Sequence, residues 1–111
     1  METIKRTVRV TIEKEFEIEL TPAMFCGMTE EEYLADFSKG LWAVESIDDV
    51  IKYAARMAAY YGGGMQHDGL GLLDCHTSTY PRVPDVKFRE LMDECEEEIL
   101  TPKRTSSGER A

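Results

Sequence analysis

The chain has 111 residues, 42% of them hydrophobic, with 22 acidic and 13 basic side chains and a formal charge of −9. That length supports one hydrophobic core without disulfides or metal. The charge repels nucleic-acid and membrane phosphates and suits a basic protein surface instead. Three widely spaced cysteines, no signal peptide and no apolar run of membrane-spanning length predict a cytoplasmic protein with reduced thiols.

Thr3 to Leu20 alternates with period two. Ile4, Val8, Val10, Ile12, Phe16, Ile18 and Leu20 fall on even positions, and Lys5, Arg9, Glu13, Glu15, Glu17 and Glu19 on odd ones. This predicts a strand with one buried face. Fully extended, it would span ~55–60 Å, whereas a compact domain of this size is only ~35 Å across. The strand must therefore bend, bulge, fold back or project, and Lys14, a charge on the apolar face, marks the place. Its outer face is charge-sorted, with Lys5 and Arg9 at one end and the glutamates at the other. An apolar face longer than the domain can cover points to self-association through Val8, Val10 and Ile12, giving a homodimer.

After Thr21-Pro22, a helix starts at Thr29, where Thr29 and Glu32 fit a capping box and Met28 and Tyr33 a hydrophobic staple. Tyr33, Leu34, Phe37 and Leu41 form its apolar stripe, and Gly40 ends it. A second helix follows from the Ser46 cap, with Asp48 and Asp49 in its first turn, to Gly62. Its stripe of Ile47, Val50, Ile51, Ala54, Met57, Ala58 and Tyr61 makes it the element around which the rest packs. A glycine-rich loop leads to a short strand over Leu70–Leu73, and an irregular loop runs to Pro84. Over Asp85 to Leu100, Phe88, Leu91, Met92, Cys95 and Ile99 fit a helix. Against it, Glu96, Glu97 and Glu98 crowd the negative end of the dipole, and Val86 and Phe88 equally begin a strand pairing with the first one. Helix is the favoured assignment. Residues 101–111 read as a disordered polar tail after a single domain over residues 1–100. The expected fold is α+β: a long bent N-terminal strand, two helices packed on a small antiparallel sheet, and a C-terminal helix or strand.

The glycines between Gly62 and Gly71 follow a helix instead of preceding one, and no Lys-Ser or Lys-Thr pair follows them, so they do not make a phosphate loop. His67, Asp68, Asp74, Cys75 and His76 are ligand types without metal-site spacing, and no metal or other cofactor is expected. Cys75 beside His76 has the residue types of a nucleophile and base, but neighbours on an extended backbone point to opposite faces. Cys26 and Cys95 lie on apolar stretches and read as small core residues. No catalytic residue is assigned. The acidic run is the most distinctive feature. Glu90, Asp93, Glu94, Glu97 and Glu98, with Glu13, Glu15 and Glu17 of the first strand, present carboxylates to a basic partner protein.

In size, acidity and lack of catalytic motifs, the chain resembles the small proteins that bacteriophages encode to inhibit host machinery, including anti-CRISPR proteins. The likeness is one of composition over the whole chain, and no functional residue is carried over from it. It implies a non-catalytic inhibitor in the host cytoplasm that acts by binding, often as a nucleic-acid mimic, without binding nucleic acid or membrane itself. The alternatives are a small enzyme or ligand binder using the loop over residues 67–80, and a structural protein assembling through its first strand.

Overall fold

In the computed structural model, which describes residues 2–101, seven elements follow in order. They are β1 (Thr7–Leu20), α1 (Pro22–Phe25), α2 (Glu30–Gly40), α3 (Ile47–Tyr61), β2 (Met65–His67), β3 (Gly71–Cys75) and β4 (Val86–Thr101). The fold is α+β, with one sheet of strand order β1-β4-β3-β2. β2 pairs antiparallel with β3 and β3 parallel with β4, so the sheet is mixed where an antiparallel one was expected. The polar tail, from Pro102 on, lies outside the described residues.

The segment favoured as a helix is the strand β4. Its residue types are helix formers, but its glutamates gain more from cations across a strand pair than from the negative end of a helix dipole. Arg9 meets Glu98 at 3.5 Å, Lys14 meets Asp93 at 4.0 Å, and Glu17 meets Arg89 at 3.0 Å. The partners descend along β4 as they ascend along β1, so the two strands are antiparallel.

By contacts the chain divides into two compact units. The larger one, Glu15–Leu91, holds the core. α2 starts at a complete capping box: Thr29 Oγ1 accepts from the Glu32 amide at 3.1 Å, and Glu32 Oε1 accepts from the Thr29 amide at 2.9 Å. α3 starts after Ser46, whose side chain makes no cap bond, and ends at Gly62, where φ is +73°. α3 buries Val50, Tyr53, Ala54 and Ala58. These pack with Tyr33 and Phe37 of α2, Met24 of α1, Leu70, Leu73 and Val86. The stripe read from the sequence misses Tyr53 and includes Tyr61, which is exposed. Trp42, in the connection between the two helices, stands edge-on to Phe37 at 5.0 Å and to Tyr53 at 4.8 Å. Both buried phenols are satisfied by the loop after β2: Tyr33 donates to the Gly69 carbonyl at 2.6 Å and Tyr53 to the Asp68 carbonyl at 3.0 Å. Phe16 on β1 meets Phe88 on β4 edge-on at 5.7 Å, and Phe16, Ile18 and Leu20 are half-buried against the core.

The smaller unit is a two-stranded ribbon, the described residues up to Lys14 with those from Met92 on. The division falls at Lys14–Glu15, where the sequence puts a break in the strand.

Candidate functional site

The five positions stepped along β1, from Arg9 to Lys14, match five positions stepped back along β4, from Glu98 to Asp93. Because side chains alternate across a strand, this register sorts the ribbon into two faces. Val8, Val10 and Ile12 share one face with Cys95 and Ile99, and with Asp93 and Glu97. Arg9, Thr11 and Glu13 share the other with Glu94, Glu96 and Glu98.

Among the described residues, the apolar face is uncovered. Val8 is 46% exposed, Val10 55%, Ile12 60% and Ile99 63%. The same even-numbered register that half-buries Phe16, Ile18 and Leu20 in the larger unit leaves these residues in water. The charged face carries Glu13, Glu94, Glu96 and Glu98, all exposed, and Arg9 is the one basic side chain of the strands on that face among the described residues.

The eight acids expected to form one surface are divided. Glu13, Asp93, Glu94, Glu97 and Glu98 belong to the ribbon, and Glu15, Glu17 and Glu90 to the larger unit. On a helix, Glu90, Glu94 and Glu97 would line one side; on a strand, Glu94 and Glu97 fall on opposite faces. Glu96, passed over as a contact residue, joins Glu94 and Glu98 instead. Period-two spacing was the available signal for it.

The loop over residues 67–80 is a second cluster. Asp74 is a local acceptor, taking the Cys75 amide at 2.8 Å and the Ser78 hydroxyl at 2.9 Å. β3 ends at Cys75, and the turn after it brings the imidazole back: Cys75 Sγ lies 3.6 Å from His76 Nδ1 and 3.4 Å from Thr77 Oγ1. Adjacent residues on an extended backbone would point apart, and it is the end of the strand that lets these two meet. Hydrogen bonds from Thr77 lead in pulling the Cys75 thiol below its ordinary range. Cys95 is the opposite case: its thiol donates to Glu97 at 3.3 Å and is pushed up, chiefly by that bond. Cys26 and Cys95 are exposed, not core residues as expected. His67 stands against Tyr61 at 5.8 Å, and its Nε2 is buried without a hydrogen-bond partner among the described residues. Among the described residues, no three His, Cys, Asp or Glu side chains are placed to hold a metal ion.

Sequence inspection missed Asp85. It is 8% exposed and ties its own loop to β3 and to Thr21 at the end of β1. Its carboxylate takes both terminal nitrogens of Arg82, at 3.0 and 2.8 Å, and the Leu72 amide at 2.9 Å. Its carbonyl accepts the Thr21 hydroxyl at 2.7 Å and the Thr21 amide at 3.1 Å. A cleft of about 440 Å³ beside it is lined by Cys26, Tyr33, Asp36, Gly71, Arg82 and other residues, but Arg82 and Asp85 within it already satisfy each other.

No helix among the described residues is long and apolar enough to cross a membrane. Comparison with protein-family models, curated proteins and solved structures finds no match to the chain.

Proposed function

We propose that the chain is a non-catalytic binding protein whose ribbon presents its charged face to a basic surface of a partner protein. The observation that carries this reading is the grouping of Glu13, Glu94, Glu96 and Glu98, all exposed, against Arg9 alone among the described strand residues on that face. Alternate carboxylates on a strand stand about 7 Å apart and repel one another until cations approach. Such a field steers a basic partner during encounter more than it tightens the final complex. A protein that binds nucleic acid is one class of partner with the required charge. The chain would then act on it as a phage-encoded inhibitor does, in the host cytoplasm and without touching nucleic acid itself.

The test replaces Glu94, Glu96 and Glu98 together by glutamine. Partners are captured from a lysate at low salt with the unmodified chain, and their association is timed against added salt. The triple variant should associate about tenfold more slowly at low salt and show a flatter salt dependence, with folding intact. Equal association rates for the two proteins across salt would remove this face from the function.

A second reading has its own observation, the contact of Cys75 with His76 and Thr77. It makes the loop a reactive-thiol site of a small enzyme or ligand binder.

A further inference from the structure

We propose that β1 is the seam of a homodimer, in which two ribbons join edge to edge about a two-fold axis through Thr11. Among the described residues β1 is the terminal strand of the sheet, so its outer edge offers backbone donors and acceptors to another strand. A ribbon of two strands is marginal in water, whereas three or more strands with an apolar face are independently stable. Joining two ribbons makes four.

The occupant is identified by charge and by the symmetry of the strand. In a two-fold interface, residue i meets j and j meets i. A strand pairs with its own copy when its basic and acidic residues stand at equal distances on either side of the axis. Around Thr11, Arg9 lies two residues before and Glu13 two residues after, both on the charged face. Antiparallel pairing about Thr11 therefore sets Arg9 opposite Glu13 of the second copy, twice. On the other face the same register sets Val10 opposite Ile12 of the second copy, again twice. The two threonines meet on the axis, and Thr–Thr, opposite-charge and β-branched pairs are all favourable across strands. Arg9 already lies 3.5 Å from Glu98 in its own ribbon, on the β4 side, and its guanidinium has donors for both carboxylates. Centring the pair on Val10 would set Arg9 opposite Thr11 and lose both charge pairs; centring it on Ile12 would set Arg9 opposite Glu15, but would leave Glu13 opposite Thr11 and put Val10, in place of Val8, opposite Lys14. The edge contact takes Glu13 from the charged face and leaves Glu94, Glu96 and Glu98, on β4, to a partner. The dimer therefore stands apart from the proposed partner binding and is measured with no partner present.

The experiment uses the full chain. Sedimentation equilibrium should give twice the protomer mass of 12.7 kDa. Arg9→Glu or Glu13→Arg alone should weaken the dimer about tenfold or more, and the double exchange should restore it, since each reversed charge then meets its complement. Circular dichroism checks that each variant is folded. A second variant does not disturb the ion pairs. Thr11→Cys should cross-link to itself under mild oxidation, because paired antiparallel residues have Cα atoms ~4.5–5.5 Å apart, within disulfide reach. Peptide mapping locates the bond at position 11 and separates it from reaction at the native cysteines. A cysteine at Thr7 lies eight strand positions from its symmetry mate, ~27 Å, and should not cross-link. A monomer at millimolar concentration overturns the proposal. So does a dimer that Val10→Lys dissociates while Thr11→Cys fails to cross-link, which would place the contact on the apolar face instead of the edge.

Discussion

Asp85 holds the larger unit together at the point where β1 ends and β3 runs beside the start of β4. Two effects compete when it is replaced. Arg82 is half exposed, so losing its carboxylate leaves a hydrated cation and costs little. The Leu72 amide is buried, and losing its acceptor costs about 1–3 kcal/mol. Asp85→Ala should lower stability by about that amount, read from urea midpoints at pH 7. Gly71 explains why the site admits no substitute nearby: with φ at +76°, a Cβ there would run into the Asp85 carboxylate. The hydrogen bond from Arg82, more than the Leu72 amide, holds the Asp85 carboxyl below the usual range, and burial opposes it. A depressed carboxyl pKa gives stability that is complete above the unfolded value near 3.9 and is lost as pH falls through the folded value. The midpoints of the unmodified chain and Asp85→Asn should accordingly converge as pH falls from 7 to about 2. A gap of constant size would show that the carboxylate charge is not what Asp85 contributes. Cys75 carries the second prediction at this scale. A thiol pulled down exposes more thiolate at neutral pH, so iodoacetamide should label Cys75 before Cys95, whose thiol is pushed up beside Glu97. Mass spectrometry of tryptic peptides reads the order, and labelling of Cys95 first would remove the reactive-thiol reading.

Element by element, legibility followed the range of the interactions. The start of α2 could be placed to the residue because a capping box closes within four residues, and Thr29 and Glu32 carry both halves of it. α3 was legible from its stripe, although Tyr53 was missed, because a phenol that buries its ring and donates to the Asp68 carbonyl looks polar in a list of residue types. α1 is a single turn with no stripe to read. β2 has three residues, too few for a period to show. For β4 the favoured helix gives way to the alternative, a strand pairing with the first one. Its propensities are helical, and what makes it a strand lies about seventy to ninety positions earlier, in the cations and apolar residues of β1. A pairing across that distance leaves no mark in the local pattern. The alternation of β1 was read correctly, and so was the surplus of its apolar face, since Val8, Val10 and Ile12 are exposed. The candidate site was legible by composition but not by grouping. Helical spacing sorted the acids one way and strand spacing sorts them another, so Glu96 entered and Glu97 changed face. Asp85 left no signal, because its bonds to Thr21 and Leu72 form only in the fold.

At the scale of the molecule, burial is confined to one unit. The core, from Met24 to Val86, lies within Glu15–Leu91, and none of the described ribbon residues is buried. Local opening costs what the buried contacts of a segment supply. The ribbon has cross-strand pairs and surface ion pairs such as Arg9–Glu98 and Lys14–Asp93, which each contribute little. It should therefore open without unfolding the core. In dilute protein, amides over residues 8–13 and 93–99 should exchange ~100-fold faster or more than those of Val50, Ala54 and Leu73, at a rate nearly independent of low denaturant. Low denaturant matters because opening a two-stranded ribbon exposes little new surface, whereas global unfolding exposes the whole core. Concentrating the protein separates two sources of protection. If the β1 edge pairs with a second copy, exchange over residues 8–13 slows as the dimer fills. The amides of 93–99 then follow, because β4 has gained a neighbour that no longer opens. If ribbon amides exchange in step with Leu73 even at high dilution, the two units unfold as one. The apolar face of β1 would then owe its order to the core alone.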